Sequence, residues 1–189
     1  MRKFLVSVVL LFSAINIIAQ EEHLSFKGIP IEGSMKDFCQ KLKTKGFTQA
    51  RTDKNITFFT GDFTGRQAIV GVGASDDGQS VHTVVVLFEE SSEWDTLVNT
   101  YDYYKSLYTK KYGEPTACQE HNPSSRNDNL SLMLELGEGR VTYASAWDVI
   151  GGAIELSIIK DGYTDGRVVI RYRDSQNINA KIQKDLDNI

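Results

Sequence analysis

The sequence predicts an α+β fold, a two-layer sandwich in which an antiparallel sheet of about seven strands carries its helices on one face. Three observations lead there. Two amphipathic helical stripes, beginning at Met35 and Trp94, are each followed by extended segments. Those segments succeed one another across short glycine-containing turns, the pattern of consecutive hairpins and not of β-α-β crossovers. The order helix, strand, glycine turn with arginine, then more strands occurs twice, with Arg66 and Arg140 in matching places. That order suggests a tandem αβββ duplication over residues 24–88 and 89–173. Ordinary α+β chains also show such an order, so both readings stand.

Residues 1–20, MRKFLVSVVLLFSAINIIAQ, open with Arg2 and Lys3, continue as an apolar run and reach the small Ala19 at a cleavage point. This is the layout of a secretory signal peptide. Cleavage leaves residues 21–189 as a single secreted or periplasmic domain with no membrane span. The competing reading is a retained anchor. Ser7, Ser13 and Asn16 interrupt the run, however, and a spanning helix wants about 20 predominantly apolar residues.

The segment Leu24-Ser25-Phe26 reads as an extended lead-in. The first helix opens at Ser34-Met35-Lys36-Asp37, where the serine oxygen can accept first-turn amides and the aspartate meets the positive helix end. Met35, Phe38, Cys39 and Leu42 fall at i, i+3, i+4, i+7, and Gly46 ends the pattern. Strands follow at 56–60, 68–74 and 81–88. The second helix opens similarly at Ser92-Glu93-Trp94-Asp95. Its stripe runs through Trp94, Leu97, Val98, Tyr101, Tyr104, Tyr108 and Tyr112 until Gly113 and Pro115. The polar stretch 119–129, containing Pro123, reads as a loop. Strands are then expected at 132–136, 141–148, 153–160 and 167–173. Ile178, Ile182, Leu186 and Ile189 predict a C-terminal helix over 175–188.

Composition limits the partners. The 189-residue chain has 21 basic and 25 acidic side chains, and removing Arg2 and Lys3 takes the formal charge from −4 to −6. An acidic domain lacks the basic footprint that nucleic acid requires. Cys39 and Cys118 would survive into a compartment where disulfides persist, so a Cys39–Cys118 bond competes with two separate thiols. No CxxC spacing suggests a redox or zinc site.

The chain shows no catalytic constellation, and no catalytic residue, metal ligand or cofactor is assigned. His23, His82 and His121 are scattered without metal-ligand spacing. No G-x-S-x-G elbow occurs, and Gly71-Val72-Gly73 lies inside a strand pattern, where it marks close packing or a bulge. Asp76-Asp77-Gly78 and the run 161–166 read as turns because neither completes a calcium loop. Candidate binding residues are therefore aromatic and basic. Tyr103 lies off the stripe of its helix; Tyr143 and Trp147 share one strand face, which is either core or the open face of the sheet; and Arg167, Arg171 and Arg173 alternate along the last strand, either as a solvated face or as a partner contact.

The run LSFKGIPIEGSMKDFCQKLKTKGF, with the later KKYGEP, resembles small secreted proteins of unknown function from anaerobic gut bacteria. The tandem layout is also similar to the β-lactamase-inhibitor-protein-like fold, and that resemblance implies a concave, aromatic-rich sheet face binding a partner protein. The expectation is an exported, non-catalytic module that recognises an envelope protein or glycan through an open sheet face. The alternatives are a hydrolase with His82 or His121 near a carboxylate, and a structural envelope protein. Oligomeric state is left open.

Overall fold

In the computed structural model, which describes residues 22–122, 128–162, 164–187 and 189, the extended segments join into one eight-stranded antiparallel sheet. The signal-peptide assignment of residues 1–20, Pro123 and Tyr163 lie outside the described residues. A small hairpin, β1 (Ser25–Phe26) and β2 (Ile29–Pro30), leads into α1 (Met35–Thr44). Strands β3 (Thr48–Asp53), β4 (Ile56–Phe63), β5 (Arg66–Ala74) and β6 (Val81–Leu87) follow. The second half contains α2 (Trp94–Tyr112), β7 (Ala117–His121), α3 (Asn129–Gly137), β8 (Thr142–Val149), β9 (Gly152–Asp161) and β10 (Asp165–Asp174). The terminal helix, α4, is Ser175–Leu186.

The sheet order is β3-β4-β5-β6-β10-β9-β8-β7, so each half contributes four strands and the halves meet where β6 pairs with β10. The αβββ expectation is corrected in three places. Strands β3 and β7 are extra edge strands, with every residue exposed. Residues 132–136 are not a strand but the body of α3, which starts where Asp128 accepts the Ser131 amide at 2.9 Å. Arg66 opens β5, whereas Arg140 lies in the link before β8 and pairs with Glu135 and Glu138, so the two arginines do not occupy matching places.

The helix starts differ in their capping. Ser34 caps α1, its hydroxyl accepting the Asp37 amide at 3.1 Å. Ser92 does not cap α2. The N-cap is Glu93, without a side-chain bond, and the orphan amide of Trp94 is taken by Asn129 Oδ1 from α3 at 2.6 Å. The stripes are buried as their spacing requires: Phe38, Cys39 and Leu42 on α1, and Trp94, Leu97, Tyr101, Tyr104 and Tyr108 on α2.

Beneath them lie the inward residues of the strands, including Phe59, Val70, Val84, Val86, Ile154, Leu156, Val168 and Ile170. Burying each such side chain contributes about 1.5–3 kcal/mol, so this shared layer is the main source of stability. An aromatic seam runs through it. Phe26 stacks on Phe63 at 5.7 Å, Phe88 on Tyr104 at 4.4 Å, and Tyr108 lies 5.4 Å from Trp147. Gly61 is required here, because a Cβ would come within 2.6 Å of the Phe47 ring. No helix among the described residues is long and apolar enough to cross a membrane.

Candidate functional site

Side chains alternate across a strand, so whatever does not point at the helices stands on the opposite face. In β10 the inward set is Val168, Ile170 and Tyr172, which leaves Arg167, Val169, Arg171 and Arg173 on the uncovered side. Register extends this row across the sheet. Val169 pairs with Leu87, Leu87 with Ile69, and Ile69 with the Thr60 position on β4. On the other side Val169 pairs with Ser157, and Ser157 with Ala144. In this row the β9 and β8 positions, Ser157 and Ala144, are small, while the β6 and β5 positions, Leu87 and Ile69, are bulky and apolar.

Across this face, from β3 to β9, lies a trough of about 460 Å³, lined chiefly by Arg51, Phe58, Ile69, Leu87, Ile159 and Arg167. Ile69 and Ile159 are each 37% exposed, an unusual state for branched aliphatics at the middle of a sheet. The Arg51 guanidinium lies 4.7 Å from the centroid of Phe58, and Arg167 pairs with Asp161 and, at 3.0 Å, with Glu90. Farther along β10, Glu155 receives Arg171 at 2.9 Å and Arg173 at 2.7 Å on its two oxygens. These pairs are partly exposed, so each contributes about 0–1 kcal/mol to folding. Their larger effect is to fix the direction of the guanidinium groups.

The arginine row therefore stands on the open face, but the two aromatic candidates do not join it. Tyr143 and Trp147 point the other way, beneath α2, and the open-face expectation is corrected for both. Tyr143 meets Trp94 and Tyr101 edge-on at 5.3 and 5.6 Å. Trp147 is 1% exposed and donates its indole N–H to the Gly113 carbonyl at 3.0 Å. The reason is parity: Tyr143, Ser145 and Trp147 are in step with Leu156 and Ile158 of the neighbouring strand, which are core residues. Burial pushes the Tyr143 hydroxyl up from its ordinary range, with the Glu120 charge adding to it. Tyr103 is exposed as expected, at 44%, yet it lies on α2 with the Arg66 guanidinium 5.6 Å from its ring centroid. It is on the helical side and cannot act together with the arginine row.

The cysteines are both free, which corrects the Cys39–Cys118 pairing. Cys39 is buried on α1 against the β5 side of the sheet, and burial pushes its thiol up. Cys118 is on the far edge strand, about five strand spacings or roughly 24 Å from β5, well beyond disulfide reach. Its Sγ lies 3.4 Å from both Lys105 Nζ and Ser145 Oγ. Lys105 also holds Glu120 at 2.6 Å.

The histidines remain apart. His23 Nδ1 lies 3.0 Å from the fully buried Asp174, His82 shares a hydrogen bond with Thr83, and His121 is on the edge strand β7. Among the described residues, no group of three or more His, Cys, Asp or Glu side chains is arranged to hold a metal ion, and neither His82 nor His121 pairs with a carboxylate. Asp76-Asp77-Gly78 is a turn, with Asp77 accepting from Ser75 and from the Gln79 amide. Those bonds hold its carboxyl at about 2.

The fold and site define a class of architecture: a helix-backed antiparallel sheet with one apolar, arginine-flanked face left bare. Comparison with family models, curated proteins and solved structures returns no match for this chain.

Proposed function

We propose that this chain is an exported, non-catalytic binding module whose uncovered sheet face engages another protein. The observation that carries this reading is the trough containing Arg51 and Arg167, which Phe58, Ile69, Leu87 and Ile159 line with apolar side chains outside the core. Such a lining is costly to leave in water, and interface centres favour apolar and arginine side chains together. Size agrees. Eight strands spaced by about 4.8 Å give a face roughly 34 Å wide, and five residues along each strand give roughly 17 Å. That area, on the order of 600 Å², approaches the about 800 Å² that one partner contributes to a standard interface.

The same placement favours a protein over a glycan. Sugar rings stack on exposed aromatic platforms, and Trp147 and Tyr143 are turned into the helical layer. The partner should present apolar side chains flanked by carboxylates, which would meet Arg51, Arg171 and Arg173. Export rests on the basic, apolar and small-residue succession of residues 1–20.

The test is site-specific photocrosslinking in cells that make this protein. A crosslinker at Ile69 should give one discrete adduct with an envelope protein, and a crosslinker at Lys43 on α1 should give none. Loss of the Ile69 adduct on adding Leu87→Glu supports the face. Identical patterns from both positions, or no adduct from Ile69, would refute it. An adduct whose mass is twice that of the chain would replace the partner with a second copy.

A further inference from the structure

On the helical side, the β1–β2 hairpin stands against the second half of α2 and leaves a cleft of about 330 Å³ between them. Its volume is at the small end of ligand pockets, which run from about 300 to 1,000 Å³. The lining is mostly apolar, with Phe63, Leu107, Tyr108, Tyr112 and Tyr172 as the main surfaces. Tyrosines would ordinarily make such a cleft polar. Here the hydroxyls of Tyr104, Tyr108 and Tyr172 are engaged within the protein. Tyr108 and Tyr172 share a short hydrogen bond with each other, and the Tyr104 hydroxyl donates to the Phe63 carbonyl at 3.2 Å.

Two ammonium groups stand at this apolar cleft. Lys27 is fixed by the hairpin turn: Lys27 and the following Gly28 have φ of 50° and 76°, the two positive angles of a type I′ turn. Its Nζ donates to the Asp62 carbonyl at 3.2 Å and lies 5.7 Å from the Phe63 ring centroid. Lys111 projects from the last turn of α2, 4.7 Å from the Tyr112 ring centroid. Among the described residues, neither lysine has a carboxylate within 4.0 Å. A non-glycine residue at positive φ is uncommon, and Lys54 takes the same conformation, with φ of 51°, in the β3–β4 turn, so the turn fixes where Lys27 stands and its role follows from the cleft beside it. Thr64, another such residue with φ of 55°, lines the same cleft.

We propose that this cleft binds a small apolar monocarboxylate. The hydrocarbon or aryl body lies against Leu107, Phe63 and Tyr112, and the carboxylate sits between Lys27 and Lys111. The adjoining depression, which shares Lys27, Lys111 and Tyr112 with the cleft, also contains Glu22 and Asp148. Those carboxylates repel an anion from the far side and leave the near cleft as its seat. This site is separate from the bare sheet face and does not depend on the reading given for it.

The experiment titrates the purified protein with decanoate and with 2-naphthoate, straight-chain and aryl versions of the same chemistry, and maps amide shifts by NMR. Saturable shifts confined to residues 25–28, 63–65 and 104–112 are expected for at least one acid, and the stronger binder identifies the body shape. The double variant Lys27→Asn, Lys111→Gln retains a turn-compatible residue and should weaken carboxylate binding by roughly tenfold or more. It should leave binding of decanol, the uncharged counterpart, unchanged. Leu107→Trp fills the cleft and should abolish both, while Ile69→Glu on the sheet face should alter neither. The proposal fails if neither acid saturates. It also fails if carboxylate affinity is unchanged in the lysine double variant while its spectrum remains that of a folded protein.

Discussion

Replacing Asp174 with alanine should destabilise this protein more than any other single polar substitution on the sheet. The carboxylate is fully buried, and its partners come from both ends of the chain. One oxygen accepts the Leu24 amide at 2.9 Å and lies 3.0 Å from His23 Nδ1, while the other accepts the Asn177 amide at 2.9 Å and so caps α4. Losing a helix N-cap costs about 1 kcal/mol. Leaving the buried Leu24 amide without an acceptor adds about 1–3 kcal/mol, and the bond from His23 adds about 1 more. The sum is about 3–5 kcal/mol, which for a chain of this length lowers Tm by about 10 °C. Urea unfolding followed by circular dichroism reads the energy. Hydrogen exchange reads its location, since the Leu24 and Asn177 amides should open while Phe59 stays protected. Asp174→Asn retains one acceptor oxygen and should lose about half as much. A loss under about 1 kcal/mol for Asp174→Ala would refute the accounting.

Other consequences are testable in the same way. Trp147→Ala removes a core indole and its bond to Gly113, and should cost about 3–5 kcal/mol in urea unfolding, so any loss of partner binding in that variant reads as unfolding. Burial holds the His82 pKa below its ordinary value, opposed by the Ala74 backbone bond, with the Lys181 charge lowering it further. The unfolded chain therefore binds the proton more readily, and His82 favours folding fully only above the unfolded pKa of about 6.5. Stability should decline as pH falls below that value, and His82→Gln should flatten the decline in a pH series of Tm. With both thiols free, a reductant should leave Tm unchanged, and iodoacetamide should label Cys118 in the native protein but Cys39 only after unfolding.

Much of this architecture can be read from periodicity, and the failures have identifiable causes. The α1 and α2 stripes are legible because Phe38, Leu42, Leu97, Tyr101 and Tyr104 repeat at helical spacing and bury one face. Strands β3 and β7 are not legible, since TQARTD and ACQEH bury nothing and show no alternation. Residues 132–136 mislead because a short leucine-rich run suits a strand or a helix equally, and only the Asp128 cap and the burial of Leu132 and Leu136 decide. Alternation also places Tyr143 and Trp147 on one face without saying which face the helices cover. A signal for the bare face was present in Val84-Val85-Val86-Leu87, which is apolar on both sides of its strand. A helix-covered antiparallel strand needs apolar residues on one side only, so the surplus on Val85 and Leu87 marked the exposed strip.

The meeting of β6 with β10 also dictates when the sheet can close. Every other contact between neighbouring strands joins segments close in sequence, whereas Val86 must wait for Ile170. During synthesis, which delivers the amino-terminal half first, β6 has an open edge of valines until β10 has been made. Folding should therefore be limited by that late, long-range pairing, and chains truncated before β10 should self-associate through the β6 edge.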